Sequence, residues 1–243
     1  MSRRGTLLLG WTLALATIAL FANLGLWQAR RAVEKQAMLD AAARVLGERV
    51  PQPLSRAADP HRAHDYDWAE GRGRFDPRGA LLLDNQQRGG RAGVRVYRLF
   101  VPNGGEPLLV DLGWLPLGGE RKLPAVPRPD GELALRGLLS APPSVGIPLG
   151  PGIGREGEGW LLTRVDTRAI AAALALPAPL APRVLRLDPA VKLGFDRDLE
   201  LLSNTLPPDK HRGYSLQWFA LAAAVLITAL ILTFRRPRRG ADR

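Results

Sequence analysis

PPDKHRGYSLQWF, residues Pro207 to Phe219, leads without a break into an apolar run that ends at an arginine-rich tail. Counted at helical spacing from His211, positions i+3, i+4 and i+7 are Tyr214, Ser215 and Trp218. One helix face would then carry an imidazole, two hydroxyls and an indole. Such a face can hold a cofactor or another helix. The run itself, Tyr214 to Phe234 (YSLQWFALAAAVLITALILTF), contains no charge, and neither does Thr6 to Trp27 (TLLLGWTLALATIALFANLGLW). Each is close to the ~20 residues needed to cross a hydrocarbon core. The sequence therefore predicts two membrane spans. A cleaved signal peptide is the competing reading of the first run, but a signal h-region is typically only about 7–15 residues and this run is longer.

Lysines and arginines close to the span ends set orientation, because long loops translocate largely regardless of charge. At the first span Arg3 and Arg4 oppose Arg30, Arg31 and Lys35, which decides nothing. At the second, the tail RRPRRGADR outweighs Lys210 and Arg212. Two spans leave both termini on one side. The expected layout is residues 1–5 and 235–243 in the cytoplasm, spans at 6–27 and 214–234, and residues 28–213 outside, in the periplasm of a bacterium. The lipid bilayer is thus an expected partner. The formal net charge of +11 could suggest nucleic acid, but the basic residues are spread along the chain and partly serve as topology anchors. No nucleic-acid partner is expected. The chain has no cysteine, which excludes disulfides, thiolate metal sites, the C-x-x-C-H attachment of c-type haem and cysteine nucleophiles.

After the first span, QARRAVEKQAMLDAAARVLGERV is rich in Ala, Arg, Glu and Leu and reads as a continuation of the helix, ended by Pro51 and Pro53. A polar, Pro-rich loop with His61 and His64 follows. Short strand patterns then succeed one another: Trp68 to Phe75, Ala80 to Asn85, Val94 to Val101, Leu108 to Trp114, Leu133 to Leu139, Gly159 to Val165 and Arg183 to Leu187. One helix interrupts them, Thr167 to Leu176, with Asp166 as N-cap and Pro177 as stop. GPGIGREGEG, Gly150 to Gly159, reads as a flexible loop; it lacks the Lys-Ser/Thr ending of a phosphate-binding loop. The fold class expected is α+β, two transmembrane helices flanking an extracytoplasmic, mostly antiparallel sheet or small barrel.

Recognisable catalytic constellations are absent from the sequence: no H-E-x-x-H, no G-x-S-x-G, no EF-hand spacing. His61 and His64 could share a metal if helical, but DPHRAHDYD has loop composition. Asp65 and Asp67 could be paired carboxylates, yet no partner acid, base or nucleophile accompanies them. The stronger cluster lies at the span borders. Trp27, Gln28, Arg30 and Arg31 end the first span, and Lys210, His211, Arg212, Tyr214, Gln217 and Trp218 begin the second. In an antiparallel hairpin both groups sit at one depth. Aromatic anchors and snorkelling arginines explain much of this, Trp27 and Arg31 above all. A porphyrin would use the same residues differently. A neutral imidazole, His211, would ligate haem iron, Arg30, Lys210 or Arg212 would pair with propionates, and indoles would cover the macrocycle.

Three motifs make the chain resemble the Surfeit locus protein 1 family of cytochrome c oxidase assembly proteins. LGLWQARRAVEK (Leu24 to Lys35) is similar to that family's L-G-x-W-Q-x-x-R-x-x-x-K signature, LLVDLGWLP (Leu108 to Pro116) to its V-x-x-G-W-[VL]-P strand, and PPDKHRGYSLQWFALA (Pro207 to Ala222) to its H-x-x-Y-x-x-x-W-[FY] motif. Order, spacing and the two-span layout agree over nearly the whole chain. The resemblance implies a non-enzymatic assembly factor of the bacterial inner membrane that assists insertion or stabilisation of haem a in oxidase subunit I. Its partners would be subunit I and other oxidase assembly factors. Haem a would be held transiently, with His211 as axial and metal-ligating residue and Tyr214, Trp218, Arg30, Lys210 and Arg212 around it. Two departures stand out: many members read N-R-G-W where this chain has Asp111-Leu112-Gly113-Trp114, and Asp209-Lys210 replaces an asparagine pair. Gly113 and Trp114 read as sheet architecture. The alternative is a scaffold that contacts oxidase subunits through its spans and sheet without touching haem, with the small residues between Ala220 and Ala224 allowing close helix packing. A tethered hydrolase would need a nucleophile-and-base pair that the sequence does not display.

Overall fold

An unbroken stretch without proline from Arg3 to Glu48 forms one long helix, α1, in the computed structural model. The structure describes residues 3–118, 123–143, 150, 152–201 and 206–235. The basic tail beyond Arg235, on which the expected orientation rests, lies outside the described residues. Helix α1 ends where Arg49 takes a left-handed φ of 46° and donates to the Val45 carbonyl at 2.8 Å, just before Pro51. The last helix, α3, spans Pro208–Phe234 and opens with proline at its first position, where no amide donor is required. Both helices are long and apolar enough to cross a membrane, and only 6% of the most apolar stretch of either is buried.

Between them lie strands β1 (Gln52–Pro53), β2 (Asp67–Phe75), β3 (Leu81–Arg88), β4 (Arg91–Pro102), β5 (Leu108–Pro116), β6 (Leu133–Ser140), β7 (Ile153–Glu156), β8 (Gly159–Leu162) and β9 (Val184–Leu187), with helix α2 (Thr167–Ala173) before the last. All seven expected strands form. The expected helix forms too: the Asp166 carboxylate accepts from the amides of Arg168 and Ala169, each at 3.1 Å.

The strands make one sheet in the order β1-β2-β6-β9-β5-β4-β3-β8-β7, and an additional β2–β4 pairing closes β2, β6, β9, β5 and β4 into a ring. A small barrel results. At the closing seam a Cβ on Gly73 would lie 2.2 Å from the Val101 carbonyl oxygen, so only glycine lets β2 approach β4 there. Strand alternation divides the apolar residues between two clusters. Val94, Val96 and Phe100 of β4, Leu108, Val110 and Leu112 of β5, and Leu82 of β3 belong to one. Tyr97 and Leu99, Leu109, and Leu81 and Leu83 turn the other way, onto Leu162 and α2's Ile170. Burial on both faces is why these strands read as nearly continuous apolar runs.

Two expectations need correction. The sheet is mixed, not mostly antiparallel: β1–β2, β3–β8 and β5–β9 are parallel. Parallel neighbours need long crossovers, and the chain runs through β7, β8 and α2 before β9 inserts between β5 and β6. Spacing between strand patterns carries no information about that return. The glycine-rich stretch read as a loop also holds strand β7, which forms a hairpin with the expected strand β8, Arg155 opposite Trp160. Its glycines serve a tight turn, where Gly157 has φ 58°. The short β1 lies in the segment whose prolines end α1.

The chain divides into two compact units, residues 1–40 with 205–243, and residues 41–204.

Candidate functional site

Within the first unit, α1 and α3 run antiparallel and meet along a ladder of contacts. The Trp11 indole donates to Thr233 Oγ1 at 3.0 Å at one end. Phe21 packs on Trp218 with ring centroids 5.4 Å apart. Ser215 Oγ donates to the Gly25 carbonyl at 2.9 Å, and at the polar end His211 Nδ1 lies 2.7 Å from Gln28 Oε1. The α3 residues involved, His211, Ser215 and Trp218, continue to buried Ala222, a spacing of i, i+4, i+7 and i+11. Gly25 permits the approach: a Cβ there would stand 3.0 Å from the Phe219 ring. The face counted from His211 is therefore turned to another helix.

The structure brings together some of the expected site residues and separates others. His211 is 7% exposed and Ser215 equally buried, whereas Tyr214 is 42% exposed and lies off their face. Its i+3 position leaves it beside the buried stripe, not on it. Trp218 is partly buried against Phe21. Arg30, Lys210 and Arg212 are exposed. Arg212 pairs with Asp209 at 2.8 Å and reaches Gln36 Oε1 at 3.4 Å, so the aspartate that departs from the family pattern holds the arginine next to the histidine. Trp27, expected as an anchor, is 56% exposed. Sequence reasoning named Gln28 as a neighbour and missed Gly25. The signal for both was the antiparallel register, which puts Leu24 to Gln28 opposite His211 to Phe219.

The donor set fits a haem in its essentials. Among the described residues His211 Nε2 has no hydrogen-bond partner, and a neutral imidazole nitrogen with an available lone pair could ligate haem iron. Exposed Arg30 and Lys210 offer donors for propionate groups. The indole of Trp218 serves the helix pair.

The second unit contains its own polar clusters. His61 lies in a short 3-10 turn, Pro60–Arg62, whose Asp59 carboxylate accepts the His61 amide at 3.0 Å. Among the described residues no group of three or more potential ligands gathers around a metal site. Asp65 and Asp67 are engaged by arginines: Arg62 contacts both, and the fully buried Arg183 donates to Asp67 Oδ2 at 2.6 Å. Burial opposes ionisation of Asp67, but the hydrogen bonds from Arg62 and Arg183 outweigh it and hold its pKa below the ordinary carboxylate range. Gly113 and Trp114 are architectural. Gly113 has φ 111° and no room for a Cβ against the Phe195 and Asp196 carbonyls, and the Trp114 amide donates to Asp196 at 2.7 Å. Beside Trp114, Arg95 pairs with the buried Asp111 at 2.7 Å at the edge of a polar pocket of about 130 Å³ that also touches Arg88 and Glu200. Asp111 thus occupies a structural ion pair.

The model of the SURF1 family matches residues 15–223. No curated protein matches the chain.

Proposed function

The chain belongs to the SURF1 family, known for cytochrome c oxidase assembly, and on that premise we propose that it holds haem a transiently for insertion or stabilisation in oxidase subunit I. The protein would work in a bacterial inner membrane, with α1 and α3 as its spans and the barrel unit in the periplasm. Oxidase subunit I and other assembly factors would be its partners. The observation that carries this reading is His211: buried at the polar end of an apolar helix pair, bonded through Nδ1 to Gln28, with Nε2 unengaged among the described residues. Haem a would supply a redox-active iron that an imidazole nitrogen can ligate. The chain's own residues would do the rest. His211 presents its nitrogen; Arg30, Lys210 and Arg212 neutralise propionates; the exposed apolar flanks of the helices keep the surroundings dry.

The test is the optical spectrum of protein purified from cells that make haem a, beside His211→Ala. The variant is expected to lose most of the bound haem. Equal haem content in the two would remove the ligand role.

A second reading is supported by the seam itself. Ser215, Trp218 and Ala222 all serve helix pairing, while Leu216 is 72% and Leu232 61% exposed on α3. A scaffold that grips oxidase helices through these flanks, and through the small residues between Ala220 and Ala224, needs no haem. In that case His211→Ala leaves oxidase assembly intact and Ala223→Leu impairs it.

A further inference from the structure

We infer that Gln28 is the positioning residue for His211, holding the imidazole as its Nδ1–H tautomer so that Nε2 carries the lone pair. The contact is 2.7 Å and joins Nδ1 to the amide oxygen of Gln28. An amide oxygen has lone pairs and no proton to give, so the ring nitrogen must donate. In a neutral imidazole the other nitrogen is then the acceptor. The ring is also held in place: His211 is 7% exposed, and one turn later Ser215 Oγ bonds the Gly25 carbonyl at 2.9 Å, pinning the same stretch of α3 to α1. This is the arrangement by which a neighbouring oxygen fixes ring orientation and raises the basicity of a metal-binding histidine. Two residues from opposite ends of the chain thereby act as one unit, because Gln28 sits where α1 leaves its apolar run and His211 where α3 enters its own.

The assignment is independent of haem at its first step and rests on the haem-holding reading only at its second. The first measurement is 15N NMR of the full chain in nanodiscs, labelled at its three histidines, with His211→Ala used to identify the signal. The expected result is a single Nδ1–H tautomer at His211, retained in Gln28→Glu and in Ser215→Ala and lost to a mixture in Gln28→Leu. An Nε2–H tautomer in the parent chain, or an unchanged Nδ1–H signal in Gln28→Leu, overturns the inference. Ser215→Ala separates positioning from general loosening of the helix pair, since it removes a neighbouring bond without touching the ring.

The second measurement is haem titration of the same proteins. Gln28→Leu is expected to bind about 10–100-fold more weakly. Gln28→Glu is expected to retain binding and shift the midpoint potential of the bound haem to more negative values, as the carboxylate draws the Nδ1 proton and enriches Nε2. Undiminished affinity in Gln28→Leu overturns the positioning role. If His211→Ala binds haem as well as the parent, it is the ligand role of His211 that falls, and the tautomer spectrum still decides the role of Gln28.

Discussion

Arg183 shows how one side chain can bind distant parts of the barrel unit. Its side chain is fully buried and its guanidinium donates to Asp67, to the Asp65 carbonyl and to the Arg56 carbonyl. Among the described residues, Asp67 is the carboxylate paired with that buried charge. We expect Asp67→Asn to lower unfolding stability by about 3–5 kcal/mol, the range for stranding a buried charge, read as a lower urea midpoint. Arg62, nearer solvent, should cost about 1 kcal/mol or less when changed to alanine. A similar loss from both variants would show that burial does not set the difference. In the sequence Asp67 stood out only as an acid without a partner, because its partner lies 116 residues further along. The same limit applied to His211. Its residue type and its place before an apolar run were visible; the identity of its Nδ1 partner came from pairing with a helix 183 residues away.

At the level of elements, the helix period told which positions share a face but not which face α1 would cover. Tyr214 was counted with His211 by its i+3 spacing, and the packed stripe instead follows His211, Ser215, Trp218 and Ala222. Close approach along that stripe depends on Gly25, since any side chain there meets the Phe219 ring. The chain has no native cysteine, so an introduced pair gives a clean reading. Phe21→Cys with Trp218→Cys is expected to cross-link with a short bifunctional thiol reagent, and adding Gly25→Val should suppress it. Persistent cross-linking would mean that the helices tolerate the extra volume. The capping aspartate of α2 was legible because capping is local: Asp166 and its two amides lie within three residues. Asp166→Ala should cost about 1 kcal/mol of stability in thermal unfolding. Strand β7 was missed for the opposite reason, since glycine marks both open loops and tight turns and only the pairing partner tells them apart.

For the molecule as a whole, the depressed carboxylates predict the direction of its acid response. Asp67 and Asp188 are both buried, which opposes ionisation. Arginine hydrogen bonds overcome that at Asp67, and the Ala190 amide with Arg136 does so at Asp188, so both pKa values lie below the ordinary range. A folded-state pKa below the unfolded one means the unfolded chain binds more protons. Their stabilisation is therefore complete above about pH 4, the unfolded carboxylate range, and is lost as pH falls through the lower folded values. The thermal midpoint of the barrel unit, followed in the intact protein, should be level from pH 6 to 5 and drop below pH 4, and Asp67→Asn should flatten that drop. A midpoint that falls equally in parent and variant would assign acid sensitivity to other groups. What the residue order determined alone was whatever depends on near neighbours: two charge-free runs of spanning length, seven strand segments, a capped helix, and the three motifs that identify the family. Only the tertiary structure decided the barrel closure at Gly73, the parallel β5–β9 and β3–β8 pairs, the partner of Asp67, and which nitrogen of His211 faces Gln28. Each of these joins segments far apart in the chain, and their register is set by joint packing of many side chains, which no local pattern encodes.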